Sequence, residues 1–359
     1  MLPHSRLRRL ARFVFLATLV AATFLAGPPL RAALVWTPAG GWQVEGGALA
    51  PWFSSADGRN ALELMNKARA DEEAGRTSAA IKGYIKVTKN YATSIYAPEA
   101  LFHLGRLYEK ERKYPKAFDS YQDIVTKHPN FNKFNETIGA QYRIATGLVD
   151  GARGRIFGIF PGFRNRGKGI EQLEKILVSA PYSEYAPLSL MAIAKGHTKM
   201  GDPDGAIDAL DRMINNYPQN FLAPDAYIKL AQAHADLVSG PNYDQASSQQ
   251  ALTYFEDFLI LFPNDPNAAA ATRGESDMRS MLAQSRINMG NFYYRHRSNY
   301  TAARVFYNEA ITLYPDSPVA ADAKKLLAEV DASEARSKSR EEAAPDRSAP
   351  APQKRFWIF

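Results

Sequence analysis

The chain has 359 residues, 44 Lys and Arg against 37 Asp and Glu, a net charge of +7 and no cysteine. Five of those positive charges belong to Arg6, Arg8, Arg9, Arg12 and Arg31, so the remainder carries about +2, too little for the basic surface of a nucleic-acid binder. The absence of cysteine excludes disulfides, thiolate metal sites, thiol nucleophiles and a cysteine for lipid attachment.

The early arginines precede an apolar run from Phe13 to Ala26, then Gly27-Pro28-Pro29 and Arg31-Ala32-Ala33. This order predicts a secretory signal peptide over residues 1–32, cleaved after Ala32 or Ala33. The run is shorter than the ~20 residues that span a bilayer. Residues 33–58 form a Gly- and Trp-rich segment in which Leu34-Val35-Trp36 and Trp42-Gln43-Val44 flank Pro38-Ala39-Gly40-Gly41, the pattern of a short hairpin.

A repeat begins at about residue 59. Tyr96-Ala97-Pro98, Tyr185-Ala186-Pro187 and Leu222-Ala223-Pro224 each open a helix with proline in its first turn, where the missing N–H costs nothing. Between Pro98 and Pro129, Leu101, Leu104, Gly105 and Tyr108 occupy the large, large, small and aromatic positions of a first helix, and Ala117, Tyr121 and Ile124 continue in a second. This is the tetratricopeptide pattern. The second-helix spacing recurs at Ala80/Tyr84/Val87, Gly169/Leu173/Ile176, Ala206/Leu210/Met213, Ala251/Phe255/Phe258 and Ala303/Tyr307/Ala310. The prediction is an all-α solenoid of about six helix pairs over residues 59–330, closed by a capping helix from about Val319 to Val330. The units exceed the ~34 residues usual for this repeat. The third carries a loop over 151–169 rich in Gly, Arg and Phe, and residues 331–359 read as a disordered charged tail with an aromatic end.

Catalytic signatures are missing: there is no Walker glycine-lysine loop, Gly-x-Ser-x-Gly elbow or His-Glu-x-x-His. No cofactor or metal is implied, and His197 and His234 read as packing residues at equivalent repeat positions. What remains is surface. First helices of such a solenoid line a concave face able to hold a peptide, which nominates Met65, Arg69, Glu99, Phe102 and Arg106. Met65 and Phe102 fit solenoid core equally well. Phe157, Phe160, Phe163 and Arg164 in the inserted loop suit contact with a partner or membrane headgroups, or simple packing against the solenoid.

The phrase Gly290-Asn291-Phe292-Tyr293-Tyr294-Arg295-His296-Arg297-Ser298-Asn299-Tyr300-Thr301-Ala302-Ala303-Arg304, followed by Tyr314-Pro315-Asp316-Ser317, resembles the last repeat of the BamD (YfiO) family of outer-membrane assembly lipoproteins. Residues Gly75 to Pro129 are similar to that family's amino-terminal repeats, and the Phe157 to Arg166 loop to its aromatic, arginine-bearing loop. The resemblance implies a non-enzymatic periplasmic adaptor at the inner face of the outer membrane. It implies that unfolded barrel precursors contact Met65, Arg69, Phe102 and Arg106, and that Tyr293, Arg295, Arg297 and Tyr300 dock on a BamA-like, POTRA-bearing barrel protein. The chain departs from the family in lacking the lipidated cysteine and in having six repeats where five are usual. Peripheral membrane contact through Trp36, Trp42 and Trp52 is an alternative means of attachment. A general periplasmic scaffold for division or polysaccharide export is the second functional reading.

Overall fold

The computed structural model describes residues 33–37, 41–45, 56–156 and 160–342. The expected signal peptide, Trp52, Phe157 and the aromatic end of the tail lie outside them. Two compact units divide the chain, Met1–Ser183 and Glu184–Phe359.

The first unit contains three helix pairs: α1 (Ala56–Glu73) with α2 (Thr77–Asn90), α3 (Ala97–Lys110) with α4 (Tyr114–Lys127), and α5 (Phe134–Asp150) with α6 (Arg166–Ser179). The second contains three more: α7 (Tyr185–Met200) with α8 (Pro203–Asn216), α9 (Ala223–Asp236) with α10 (Gln245–Leu261), and α11 (Ala268–Arg297) with α12 (Tyr300–Leu313), followed by α13 (Pro318–Glu342). The six pairs and final helix are the tetratricopeptide architecture expected from the spacing. Among the described residues no helix is long and apolar enough to cross a membrane.

Local chemistry explains the boundaries. Proline stands in the first two positions of α3, α4, α8 and α9. Second helices α6, α8, α10 and α12 are capped by Asn165, Asp202, Asp244 and Asn299, whose side chains accept the N–H of Lys168, Gly205, Ser247 and Ala302, so α8 has both devices. Each cap satisfies an otherwise orphaned donor and is worth about 1 kcal/mol. Helices α5 and α7 end on Gly151 and Gly201, both left-handed in φ.

The core follows the repeat register. Leu101, Leu104 and Tyr108 on α3 are buried, and so are Ala80, Tyr84 and Val87, Ala117, Tyr121 and Ile124, and Ala303, Tyr307 and Ala310 on second helices. Large second-helix rings reach under the small residue of a first helix: Gly105 sits against Tyr121, Gly274 against Phe255 and Gly290 against Tyr307.

Outside the helices, β1 (Ala33–Thr37) and β2 (Gly41–Glu45) form the expected antiparallel hairpin, with Trp36 opposite Trp42 and Leu34 opposite Val44. Trp42 is buried against the helices, which corrects its assignment to a membrane-facing segment. The inserted stretch is also a hairpin, β3 (Arg153–Ile156) with β4 (Phe160–Arg164), and the chain is already helical from Arg166.

The carboxy-terminal helix overruns its expected end: residues 331–342 are helical, not a disordered tail. The cause is a set of side-chain contacts beyond Val330. Arg304 Nε donates to Asp331 Oδ1 at 2.6 Å, its Nη2 donates to Glu334, and the Tyr294 and Ser333 hydroxyls are hydrogen-bonded at 2.8 Å.

Candidate functional site

The first candidate surface lies between the first helices α1 and α3. Of the five residues expected there, Met65 is 0% exposed and Glu99 and Phe102 are each 3% exposed, so these three are core and not groove. The reason is local. The Phe102 ring packs on Tyr121 and Phe131, with centroids 5.9 and 6.1 Å away, and the Lys133 ammonium stands 5.0 Å over its face. The same ammonium donates to Glu99 Oε1 at 2.6 Å. Arg69 and Arg106 do face a groove, a polar hollow of about 390 Å³ shared with Glu72, Glu73, Leu107 and Lys110. Arg69 is already met by carboxylates there, at 3.0 Å from Glu73 and 3.6 Å from Glu72.

Behind this groove is a buried ionic network that the residue pattern did not single out. His103 Nδ1 is 2.8 Å from Glu72 Oε2 on α1, and Nε2 is 3.6 Å from Glu99 one turn earlier on α3. Tyr84 on α2 donates its hydroxyl to Glu72 at 2.7 Å and stacks its ring on His103 at 5.1 Å and 15°. Burial alone would raise Glu72, but the hydrogen bonds and charge of His103, with Tyr84 and Arg69, hold it at about 2. Burial alone would lower His103, yet its hydrogen bonds to Glu72 and Glu99 and their charges raise it above the ordinary histidine value. The one sequence sign of this network is the Glu99/His103 spacing of four, which aligns the pair on a helix. Its α1 partner is a tertiary contact.

The network carries a lid. Trp42 of β2 meets His103 edge-on, at 5.9 Å and 83°, and its backbone N–H donates to Asn66 Oδ1 on α1 at 2.7 Å. An extended strand of the chain therefore rests on α1 and α3.

At the same repeat position in the second unit, between α7 and α9 with α8 beneath, lies a larger hollow of about 530 Å³. Lys195 and Lys199 from α7 and Lys229 from α9 stand at its edge, over Met191, Leu210 and Ala233. Nearby, His197 Nδ1 lies 2.7 Å from Asp202 Oδ2, while buried His234 stacks on Tyr254 at 5.5 Å.

A third surface is the turn from α11 to α12. Tyr293 stacks on Phe306 at 5.4 Å and 12° and meets Phe292 edge-on at 5.6 Å. Phe292 is 42% exposed beneath the Arg297 guanidinium, 5.6 Å from its centroid. Arg295 is exposed, and half-buried Tyr300 packs near Tyr294 at 6.2 Å. The four residues expected to dock a partner thus lie near one turn, where Phe292 touches both Tyr293 and Arg297 and Tyr300 packs near Tyr294. In the β3–β4 hairpin, Phe163 is 88% exposed and Arg164 runs beside Gly151. Phe160 lies in β4, with its side chain outside the described residues, as is all of Phe157.

The model of the YfiO family, described as outer membrane lipoprotein, matches residues 164–345, just over half of the chain. A tetratricopeptide-repeat model matches residues 99–130. The outer membrane protein assembly factor BamD of Xylella fastidiosa (strain Temecula1) is 28% identical over 166 residues, 44% of this chain and 56% of the relative. Its namesake from Rickettsia prowazekii (strain Madrid E) is 27% identical over 139 residues, 39% of this chain and 55% of the relative. The chain spans about half the length of these curated relatives. Among solved structures, a tetratricopeptide repeat protein from Parabacteroides merdae is 14% identical with a TM-score of 0.31, covering 76% of this chain and 99% of that one. A TPR repeats protein from Bacteroides fragilis is 13% identical with a TM-score of 0.35, covering 76% and 98%.

Proposed function

Because the chain belongs to the YfiO family of outer membrane lipoproteins, we propose that it is a non-enzymatic assembly factor for outer-membrane β-barrel proteins, acting at the periplasmic face of that membrane. The observation that carries this reading is the family match over residues 164–345, which takes in the turn with exposed Arg295 and Arg297 beside half-buried Tyr293 and Tyr300. In this reading the turn docks a BamA-like, POTRA-bearing barrel protein. Rings and guanidinium groups suit that task, since aromatic residues and arginine dominate the energetics of protein interfaces. Unfolded precursors contact the α1–α3 side through Arg69 and Arg106, the two expected groove residues that remain accessible. Phe163 and Arg164 offer a further contact for a partner or for membrane headgroups.

The test is a crosslinked pull-down of the tagged chain from envelopes of its own organism. Recovery of a POTRA-bearing barrel protein, and its loss in a Tyr293→Ala/Arg297→Ala double variant, is the expected result. Recovery of division or polysaccharide-export proteins in its place would replace the assembly role with that of a general scaffold.

A further inference from the structure

The β3–β4 hairpin carries charge that the chain does not match. Residues 151–169 hold Arg153, Arg155, Arg164, Arg166 and Lys168 and no acidic residue. Two of these are engaged locally: Arg166 Nε donates to Val149 O at 3.2 Å, and Lys168 pairs with Glu171 at 2.8 Å. Arg153 and Arg164 are exposed and stand directly opposite each other across the strands. Like charges in that relation destabilise a hairpin, and no carboxylate among the described residues meets either one. Their counter-charge lies outside the chain.

A third arginine joins them where the hairpin is seated. A methyl group at Gly154 would stand 3.3 Å from the Arg112 carbonyl oxygen, so β3 lies against the turn between α3 and α4. Arg112 is exposed in that turn, with a left-handed φ of 57°. The carboxylates near it in sequence are taken, Glu109 by Arg143 at 2.9 Å and Glu111 by Lys113 at 2.7 Å.

Next to Arg164, Phe163 is 88% exposed. Successive residues of a strand leave by opposite faces, so the Phe163 ring and the Arg164 guanidinium lie on the two sides of the hairpin. A soluble anion or the surface of a folded partner meets one side. A layer of lipid headgroups encloses both.

We propose that the β3–β4 hairpin is a peripheral anchor that enters the headgroup layer of an anionic lipid surface. Arg112, Arg153 and Arg164 meet lipid phosphates, and the Phe163 ring reaches the boundary with the acyl chains. The anchor rests on the membrane-facing placement proposed above and makes no use of the turn between α11 and α12.

The test uses the chain from residue 33, without the apolar run Phe13 to Ala26 that would itself bind bilayers. It is sedimented with vesicles of equal parts phosphatidylglycerol and phosphatidylcholine. Expected is binding that falls as salt is added and is absent on phosphatidylcholine alone. At about fivefold per arginine, Arg153→Gln/Arg164→Gln should weaken binding about twentyfold, and Phe163→Ser about fivefold. Circular dichroism checks folding, and the single Arg153→Gln carries the test if the double variant misfolds. Because the chain has no cysteine, Phe163→Cys accepts one polarity-sensitive dye. Its emission should shift to the blue on the mixed vesicles, while the same dye at Ile260→Cys, an exposed position on α10, stays unshifted.

No binding to the mixed vesicles, binding unchanged in the hairpin variants, or an equal shift at both dye positions would overturn the proposal. Displacement by inorganic phosphate would also overturn it, as the mark of a site for free phosphate. Binding that survives the hairpin variants and is lost on deleting residues 343–359 would move the anchor to the tail. Failure of vesicle binding with the barrel protein still recovered in pull-downs sinks this anchor alone; the converse sinks only the assembly role.

Discussion

The ring of Tyr307 lies so close to Gly290 that a methyl group built there would overlap it. The same holds for Tyr121 and Gly105. Each glycine is where a first helix lets its second-helix partner bury a whole tyrosine. Gly290→Ala would gain about 1 kcal/mol of helix propensity but force the ring from its seat, with overpacking typically costing 1–3 kcal/mol. The expected net effect is a loss of up to about 2 kcal/mol, measured as a lower urea midpoint with an unchanged slope. A higher midpoint would mean that the ring relaxes freely.

The His103 network predicts a stability window in pH. Glu72 is held at about 2, below its usual 4.5, so its contribution is complete above 4.5 and is lost as pH falls from there toward 2. His103 is raised above 6.5, so its contribution is complete below 6.5 and is lost as pH rises through the folded value. Stability from this pair therefore peaks between roughly 4.5 and 6.5. Urea midpoints of the wild type and His103→Gln should differ most there and converge on the alkaline side. A constant difference across that range would contradict the ionic assignment.

Trp42 is buried with its indole N–H lacking an acceptor among the described residues. Such a donor costs about 1–3 kcal/mol. Trp42→Phe removes that cost while keeping an aromatic edge for His103, and should stay within about 1 kcal/mol of the wild type. Trp42→Ala should free the hairpin, detected as faster proteolysis between residues 33 and 45 with helical content unchanged.

Deleting residues 331–359 should destabilise the last helix pair, whereas deleting 343–359 leaves the contacts of Arg304 and Tyr294 in place. The expected difference is about 1–2 kcal/mol, since half-exposed ion pairs and single hydrogen bonds contribute modestly. Thermal melts of the two truncations measure it.

Periodicity made the helix pairs legible because a repeat position carries the same burden in every unit: Ala80, Ala117 and Ala303 are small where backbones approach, and Tyr84, Tyr121 and Tyr307 fill the space between helices. The groove was less legible. Met65 and Phe102 sit where an outward or an inward turn is equally compatible with spacing, and Phe131 and Lys133, from the segment leading into α5, turn Phe102 inward. Sequence distance hid the pairing of Glu72 with His103 and of Arg304 with Asp331. The emptier site at α7–α9 was hidden too, because Ala233 and Leu210 look like ordinary packing residues until Leu107 and Tyr84 are seen filling the same positions.

The seat of Trp42 also sets a threshold for competition. A tethered occupant acts at an effective concentration on the order of millimolar, so a free aromatic segment displaces Trp42 from His103 and Asn66 only by exceeding that local supply. The hairpin thereby protects the buried face of His103 while Arg69 and Arg106, beside it, stay open to a ligand.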